Sequence, residues 1–229
     1  KIACADKLSN YIKLKTISRK FGTPFLFETN VGAGLPVINT LNNLIASGDK
    51  IMKIEAILSG SLNFIFNNFK KGLSFHDIVL KAEKEGYTEP DPKIDLSGVD
   101  VARKILILAR ESGYSLELDS IKNNSFLPSN CLKTKTKKEF YNSLKKNELH
   151  FVKLLENATK QNTRLKYIAQ LEKGKASVGL QNINPDHDFY NLEGSDNIIL
   201  FYTRRYNKQP LIVKGAGAGA DVTAGGVFG

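Results

Sequence analysis

Residues 165–181 read LKYIAQLEKGKASVGLQ, two runs of alternating apolar and polar residues on either side of Lys173-Gly174. Alternation with a period of two indicates strands with one buried face, and a two-residue connection containing Gly indicates a hairpin. The stretch therefore predicts an antiparallel strand pair, and this pair separates the fold from an all-helical bundle.

Other segments alternate between strand and helix patterns along the chain. Strands are predicted at 24–28 (a short buried one), 51–58, 197–206 and 211–214, and helices at 9–21, 62–69, 99–112 and 136–158, with two more that end at Ala46 and Gly86. Because helices and strands are mixed without a regular βαβ repeat, the predicted class is α+β, with a mixed, largely antiparallel sheet packed with helices on one face.

Composition narrows the class of protein. The chain has 229 residues, of which 41% are apolar and 24% are charged, so it can bury a core and is not a disordered chain. No apolar run approaches the roughly 18–20 residues that a membrane helix requires, which predicts no membrane partner. Cys4 and Cys131 are too few for a disulfide framework, which favours a reducing compartment and predicts a cytoplasmic protein.

The net charge of +10 is concentrated in one part of the chain, since residues 114–175 contain 13 basic and 6 acidic side chains. Basic surfaces attract nucleic acid, but this stretch has no interleaved aromatic platform and no recognised nucleic-acid-binding motif. Its lysines fall on the polar side of the predicted helix at 136–158. A solvated helix face is therefore favoured, and no nucleic-acid partner is predicted.

The segment from Gly86 to Gly98 reads GYTEPDPKIDLSG and carries three carboxylates and two prolines directly before a helix. Proline fixes φ and restricts the residue before it, so this loop is stiff. A stiff loop can hold carboxylates in a fixed geometry for a site, but a capping loop with solvated acids has the same pattern. Spacing leaves both interpretations open.

The next helix contains Asp100 and Lys104, four residues apart and therefore on one face. An ion pair on a helix surface is the ordinary explanation for this spacing. The surrounding apolar residues favour partial burial instead, and burial of a Lys beside an Asp tunes a group for proton transfer.

Five segments in this order resemble homoserine dehydrogenase, and together they span nearly the whole chain. They are 27–36 (FETNVGAGLP), 59–63 (SGSLN), 86–104, 195–206 and 215–224. The region 126–196 is similar to the form of the enzyme that is fused behind an aspartate kinase, which implies a bifunctional parent protein.

The resemblance implies reversible hydride transfer between NAD or NADP and the pair L-homoserine and L-aspartate 4-semialdehyde, in threonine and methionine biosynthesis. Lys104 matches the lysine that passes the proton, and Asp100 matches the carboxylate that orients it. Lys1 matches a second active-site lysine, although the Asn that precedes this lysine in the family is absent here.

Substrate contacts are also implied by the resemblance. Glu89 matches the carboxylate that binds the substrate amino group, with Tyr87 beside it. Gly60 and Ser61 match the turn that contacts substrate, where Ser61 needs only its hydroxyl. Asp95 is implied as a further carboxylate of the site.

A monovalent cation site, for sodium, is implied by Glu28 with the backbone carbonyls of Val31, Ala33 and Leu35. A glycine-rich turn exposes carbonyl oxygens, and one carboxylate completes a set of hard ligands. A simple tight turn is the alternative.

Gly215, Gly217 and Ala220 satisfy a G-x-G-x-x-A pattern after the strand at 211–214. Only nine residues follow Ala220, which predicts that no complete βαβ nucleotide-binding unit forms there. In the family this segment approaches the cofactor from the end of the chain, which assigns Gly217, Gly219 and Ala220 to cofactor binding.

The resemblance also predicts the domain organisation. Residues 1–210 are predicted to form the substrate-binding, catalytic and dimerisation domain, and 211–229 a C-terminal segment that returns to a nucleotide-binding domain lying upstream and absent here. The piece is therefore expected to be a homodimer and to be inactive alone. The alternative function is a non-catalytic dimerisation or regulatory module of the same fold.

Overall fold

The computed structural model describes residues 2–228 and contains a six-stranded sheet. The strands are β1 (Ile51–Ile57), β2 (Lys122–Asn124), β3 (Arg164–Glu172), β4 (Lys175–Ile183), β5 (Asn197–Thr203) and β6 (Leu211–Gly215). Their order across the sheet is β2-β4-β3-β1-β5-β6. The β2–β4 pair is parallel and the other four pairs are antiparallel, which confirms a mixed, largely antiparallel sheet.

Helices connect the strands. They are α1 (Ile2–Ala5), α2 (Leu8–Phe21), α3 (Val37–Ala46), α4 (Gly60–Asn68), α5 (Phe75–Lys84), α6 (Pro92–Leu96), α7 (Val99–Glu111), α8 (Ser129–Leu132), α9 (Lys137–Lys146), α10 (Glu148–Lys160) and α11 (Ala220–Phe228), with 3₁₀ turns at Glu28–Asn30 and Leu118–Ser120. No helix within residues 2–228 combines the length and the apolar composition needed to cross a membrane.

One face of the sheet carries the helices and the main core. Helices α4, α7 and α10 contact β3, and α7 also contacts β4. Alternate residues of β3, among them Leu165, Tyr167 and Leu171, enter this core, as the period of two requires. The predicted α+β class with helices on one face is confirmed.

The second face of the sheet is partly covered by the connection between β4 and β5. Phe189 and Leu192 of this connection pack on Ile57, Ile168 and Ile198 to form a smaller apolar cluster. The strands at the centre of the sheet are therefore buried on both faces.

The start of α7 is fixed by a close contact with the sheet. Gly98, the N-cap residue, has a φ of 73°, which glycine adopts without the strain of a side chain. A Cβ at this position would lie 1.8 Å from the hydroxyl of Tyr167 on β3. This contact sets the position of α7 and therefore the positions of Asp100 and Lys104, which lie on this helix.

Two sequence predictions about elements are wrong. Residues 24–28 form no strand: Phe25 and Phe27 pack against each other while Leu26 is 84% exposed, because the segment lies outside the sheet and has no strand partner. The predicted helix 136–158 is two helices. Its predicted capping box at Thr136 and Glu139 is present, but Asn147 has φ −102° and ψ 15° and ends α9.

Candidate active site

A cleft of about 850 Å³ lies where the turn before α4, the 86–95 segment, the first turns of α7 and the glycine-rich segment after β6 meet. Most of the predicted site residues line it. They are Ala33, Gly60, Ser61, Tyr87, Glu89, Asp95, Asp100, Lys104, Gly217, Gly219 and Ala220. Glu28, Val31 and Leu35 do not line it, and Lys1 lies outside the described residues.

Lys104 and Asp100 stand one helical turn apart on α7, and their side chains form an ion pair with Nζ 3.1 Å from Oδ2. The ammonium also donates a hydrogen bond to the Leu58 carbonyl, just beyond the end of β1, at 2.5 Å. The Lys104 side chain is only 13% exposed, whereas that of Asp100 is 34% exposed. This is a largely buried ammonium beside a carboxylate at the wall of a cleft, and not a solvated surface pair.

The N-terminus of α4 brings hydroxyl groups to the cleft. Ser59 is the N-cap residue, and its Oγ accepts a hydrogen bond from the Leu62 backbone N–H at 3.2 Å. Ser59 Oγ and Ser61 Oγ lie 3.0 Å apart, and Ser61 Oγ donates to Asp95 Oδ1 at 3.0 Å. The cap therefore aligns Ser61 with the acidic segment opposite.

Asp95 connects the acidic segment to α4. Its Oδ2 accepts the backbone N–H of Glu89 at 2.9 Å while its Oδ1 accepts from Ser61. Burial raises the pKa of Asp95, the hydrogen bonds from Glu89 and Ser61 oppose this, and the nearby Glu89 and Asp100 carboxylates add to the increase. The segment thus combines the two interpretations left open by the sequence, because Asp95 is held by two hydrogen bonds at the cleft whereas Asp91 caps α6 by accepting the Lys93 N–H at 3.1 Å.

Tyr87 and Glu89 form the outer part of the cleft. The Tyr87 ring stacks on Phe64 of α4, with centroids 4.0 Å apart and an interplanar angle of 19°. Glu89 is exposed at the rim, where its carboxylate can meet a cationic group from solution. Both residues line the cleft.

The glycine-rich segment after β6 closes the opposite side. Gly217 packs on Asn197, because a Cβ at 217 would lie 2.1 Å from the Asn197 amide. Helix α11 then packs on the glycine turn near residue 34, where a Cβ on Gly34 would lie 2.3 Å from the Val222 carbonyl oxygen. Residues 217–220 therefore present backbone and at most a methyl group to the cleft, and Thr223 of α11 adds a side chain.

The G-x-G-x-x-A pattern does not form a dinucleotide-binding unit. Strand β6 is antiparallel to β5, and within the described residues the one parallel pair is β2–β4, at the far edge of the sheet. The segment can contact a cofactor from one side, but the strand-helix-strand unit that binds a pyrophosphate is not formed by these residues.

Glu28 caps a helix. Its Oε1 and Oε2 accept the backbone N–H groups of Ile38 and Asn39, each at 2.7 Å, at the start of α3. The Leu35 carbonyl accepts the Val37 N–H at 2.8 Å. These groups fit a cation less well than the resemblance implies, because the carboxylate is committed to α3. The sodium site stays a prediction.

Sequence reasoning missed residues that complete the cleft. Ser195 lies against Gly60, where a Cβ would be 2.9 Å from the Ser195 carbonyl oxygen, and Thr223 of α11 lines the same wall. Ser59, three residues before Leu62, carried a recognisable N-cap signal. Ser195 belongs to the segment 195–206 that carries the resemblance, but its contact with Gly60, more than 100 residues earlier in the chain, has no local signal.

Known proteins are similar to this chain over nearly its whole length. Over 230 residues the chain is 47% identical to bifunctional aspartokinase/homoserine dehydrogenase 1, chloroplastic, of Zea mays, a match covering all of this chain and 25% of that protein. It is 44% identical over 235 residues to a homoserine dehydrogenase of Schizosaccharomyces pombe, covering 99% of this chain and 62% of that protein.

A solved structure, a hyperthermophilic archaeal homoserine dehydrogenase in complex with NADPH, superimposes with a TM-score of 0.71 at 27% identity, covering 96% of this chain and 58% of that one. The chain thus spans less than two thirds of each of these relatives. A family profile described as homoserine dehydrogenase matches residues 36–229, most of the chain. On this match, and on the ordered motifs gathered in the cleft, the chain belongs to the homoserine dehydrogenase family.

Proposed function

We propose that the chain supplies the substrate-binding and catalytic part of a homoserine dehydrogenase, which interconverts L-homoserine and L-aspartate 4-semialdehyde with NAD or NADP in threonine and methionine biosynthesis. The observation that carries the proposal is the Lys104–Asp100 pair, 3.1 Å apart and facing a cleft that also holds Ser61 and Glu89. A proton-transfer group and a binding site for an amino acid therefore share one cavity.

Proton transfer is assigned to Lys104. As homoserine is oxidised, its C4–H leaves as hydride and its hydroxyl proton passes to the Lys104 amine; in the reverse direction the ammonium returns that proton to the aldehyde oxygen. Asp100 orients Nζ and stabilises the protonated form. The Leu58 carbonyl fixes the same nitrogen from the opposite element.

Substrate recognition is assigned to the outer part of the cleft. Glu89, exposed at the rim, binds the substrate ammonium, and Tyr87 forms the adjacent wall. The Ser61 hydroxyl and the backbone of Gly60 contact the substrate from the N-terminus of α4. Asp95 holds Ser61 and the Glu89 backbone in place through its two hydrogen bonds.

A nicotinamide cofactor would supply the hydride acceptor for the substrate carbon. Gly217, Gly219 and Ala220 would hold it, since they line the cleft with backbone and a single methyl group. The NADPH complex of the archaeal relative supports a nicotinamide nucleotide in this fold.

The wider setting of the chain is part of the proposal. Relatives from Zea mays that carry aspartokinase in their names support a parent protein with a fused aspartate kinase. A homodimer in the cytoplasm, acting on small molecules and not on nucleic acid or membranes, completes it. The second candidate is a non-catalytic dimerisation or regulatory module, favoured by the missing βαβ unit within the described residues.

A direct assay separates the two candidates. The full-length protein is mixed with L-homoserine and NADP⁺ or NAD⁺, and reduced nucleotide is followed by absorbance. The proposal expects turnover that depends on homoserine. Binding of homoserine without turnover under either cofactor would favour the non-catalytic module, and the absence of both would reject the assignment of this cleft.

A further inference from the structure

Lys166 is a buried lysine outside the cleft. It lies on β3, on the second face of the sheet, and is 1% exposed. Burying an ammonium costs several kcal/mol unless its donors are satisfied. Among the described residues no carboxylate lies within ion-pair distance of its Nζ, so neutral acceptors must satisfy it.

Three oxygen atoms surround the Lys166 ammonium. Nζ donates to Asn63 Oδ1 at 3.2 Å, to Asn67 Oδ1 at 2.6 Å and to the Leu192 carbonyl. An ammonium has three N–H donors and no acceptor. Each donor therefore has one partner, and the set is complete only when Lys166 is charged.

The two asparagines extend these bonds to the β4–β5 connection. Asn63 Nδ2 donates to the Gly194 and Asp196 carbonyls at 3.2 and 3.4 Å. Asn67 Nδ2 donates to the Leu192 and Gly194 carbonyls at 3.1 and 3.2 Å. Each amide thus faces the ammonium with its oxygen and the loop with its nitrogen, so Lys166 also determines the orientation of both amides.

This loop forms part of the cleft. The carbonyls of Gly194 and Asp196, which accept hydrogen bonds from the asparagines, flank Ser195 in the chain. The Ser195 carbonyl oxygen would lie 2.9 Å from a Cβ placed on Gly60. Gly60 and Ser61 begin α4, the helix that carries Asn63 and Asn67. The ammonium therefore ties together β3, the substrate-facing end of α4 and the loop that packs on it.

We propose that Lys166, Asn63 and Asn67, here called the Lys166 clamp, position residues 192–196 against Gly60 and thereby set the wall of the substrate cleft formed by Ser195. Lys166 is a positioning residue, because its Nζ donates to Asn63, Asn67 and Leu192 and to no residue assigned to substrate binding. The effect expected on substrate binding rests on the proposed function. The positioning of residues 192–196 by the clamp does not depend on it.

Two variants test the clamp in the full-length protein. Lys166→Met removes all three donors at similar length. Asn67→Asp keeps an acceptor for the ammonium but turns an oxygen towards the Leu192 and Gly194 carbonyls, so it releases the loop without leaving Lys166 unpaired. Lys175→Met is the matched control, because Lys175 is an exposed lysine of the same sheet on β4.

Both variants should raise KM for homoserine about tenfold, the scale on which supporting contacts act, and change kcat little because Lys104 and Asp100 are untouched. Amide exchange at 193–196 should quicken, while exchange within β3 stays as in the wild type. The control should change neither. If Lys166→Met fails to fold, the same measurements on Asn67→Asp decide the outcome.

Unchanged exchange at 193–196 in Asn67→Asp would overturn the clamp. Faster exchange with an unchanged KM would overturn its role in the substrate cleft. Loss of kcat at unchanged KM would also reject positioning of the substrate wall. A wild-type protein that neither binds nor oxidises homoserine would instead count against the proposed function, so the two failures are distinguishable.

Discussion

The Lys104 ammonium contacts oxygen atoms of different kinds, among them the Asp100 carboxylate on its own helix and the Leu58 carbonyl beyond β1. Lys104→Ala in the full-length protein should lower kcat at least about 100-fold, because a general acid–base group acts in the transition state, while Tm stays nearly unchanged. Steady-state kinetics and thermal unfolding check both. Lys104→Arg should not restore activity, since guanidinium stays protonated.

A matched control for this prediction lies on α5. Lys81 and Glu85 form an ion pair with the same four-residue spacing, at 3.8 Å and with both side chains exposed. Lys81→Ala should leave kcat and Tm unchanged. A Lys104→Ala enzyme that loses several degrees in Tm yet keeps its kcat would show that Lys104, like Lys81, is only an ion-pair partner on a helix.

Lys166 predicts a pH dependence of stability. Burial lowers the pKa of Lys166 from its ordinary value of 10.5 to about 8, so between these values the folded chain has lost a proton that the unfolded chain keeps. Unfolding then takes up a proton, and the free energy of unfolding should rise with pH by up to about 1.4 kcal/mol per unit in this window. Urea unfolding at several pH values measures the slope.

Lys166→Met isolates this contribution, because every other titratable group is common to both proteins. The stability difference between wild type and variant should move in favour of the wild type as pH rises from about 8 towards 10.5. A difference that does not change with pH would show that Lys166 keeps an ordinary pKa despite its burial.

At the scale of elements, helix α11 depends on glycine for its packing. A Cβ on Gly226 would lie 2.6 Å from Gly34 Cα, a backbone atom that cannot move aside cheaply, whereas a Cβ on Gly225 meets nothing within 4 Å. Gly226→Ala should cost about 1–3 kcal/mol and release α11 from the cleft. Gly225→Ala should stabilise the chain by up to about 1 kcal/mol through helix propensity.

Amide exchange of α11 and chemical unfolding distinguish the two glycine variants. Gly226→Ala should expose the amides of α11 and weaken cofactor binding in the full-length protein, and Gly225→Ala should do neither. Equal behaviour of the two variants would mean that α11 does not pack on the glycine turn as described.

Local sequence signals predicted the elements whose stability is local. The 165–181 hairpin, the capping box at Thr136 and the Asp100–Lys104 spacing on α7 all express short-range rules, and the structure confirms each. Residues 24–28 have strand composition but lie outside the sheet, which ends at β2 on one edge and β6 on the other. Whether a segment pairs with a strand depends on residues far away in the chain. The segment's own sequence pattern therefore does not predict it.

At the scale of the whole molecule, the cleft joins segments far apart in the chain. Strand β1 lies between β3 and β5, which places the turn before α4 beside residue 195 and the glycine-rich segment. Spacing alone could not predict this arrangement. The family resemblance predicted most of the residues assigned to the cleft. It did not predict the Lys166 clamp or the helix-capping role of Glu28, because both depend on contacts between different elements.

The second face of the sheet predicts a homodimer. The β4–β5 connection covers its centre, but Ile212 on the edge strand β6 stays 42% exposed. A two-fold interface would cover this area and the open edge. Light scattering at micromolar concentration should give twice the 25.4 kDa of one chain. Ile212→Asp should favour the monomer, whereas Leu149→Asp, at an exposed apolar position on α10, should not; a wild-type monomer would contradict the prediction.

The proposed function assigns substrate and nucleotide to different parts of the fold, which yields a prediction for the 229-residue chain produced by itself. Under the proposed function, the clamp, α4 and the acidic segment supply most of the substrate cleft, so calorimetry should detect L-homoserine binding. Strand β6, the glycines and α11 form no βαβ unit for a pyrophosphate, so NADP⁺ should bind too weakly for measurable oxidation. Turnover comparable to that of the full-length protein would show that these residues hold the nucleotide after all.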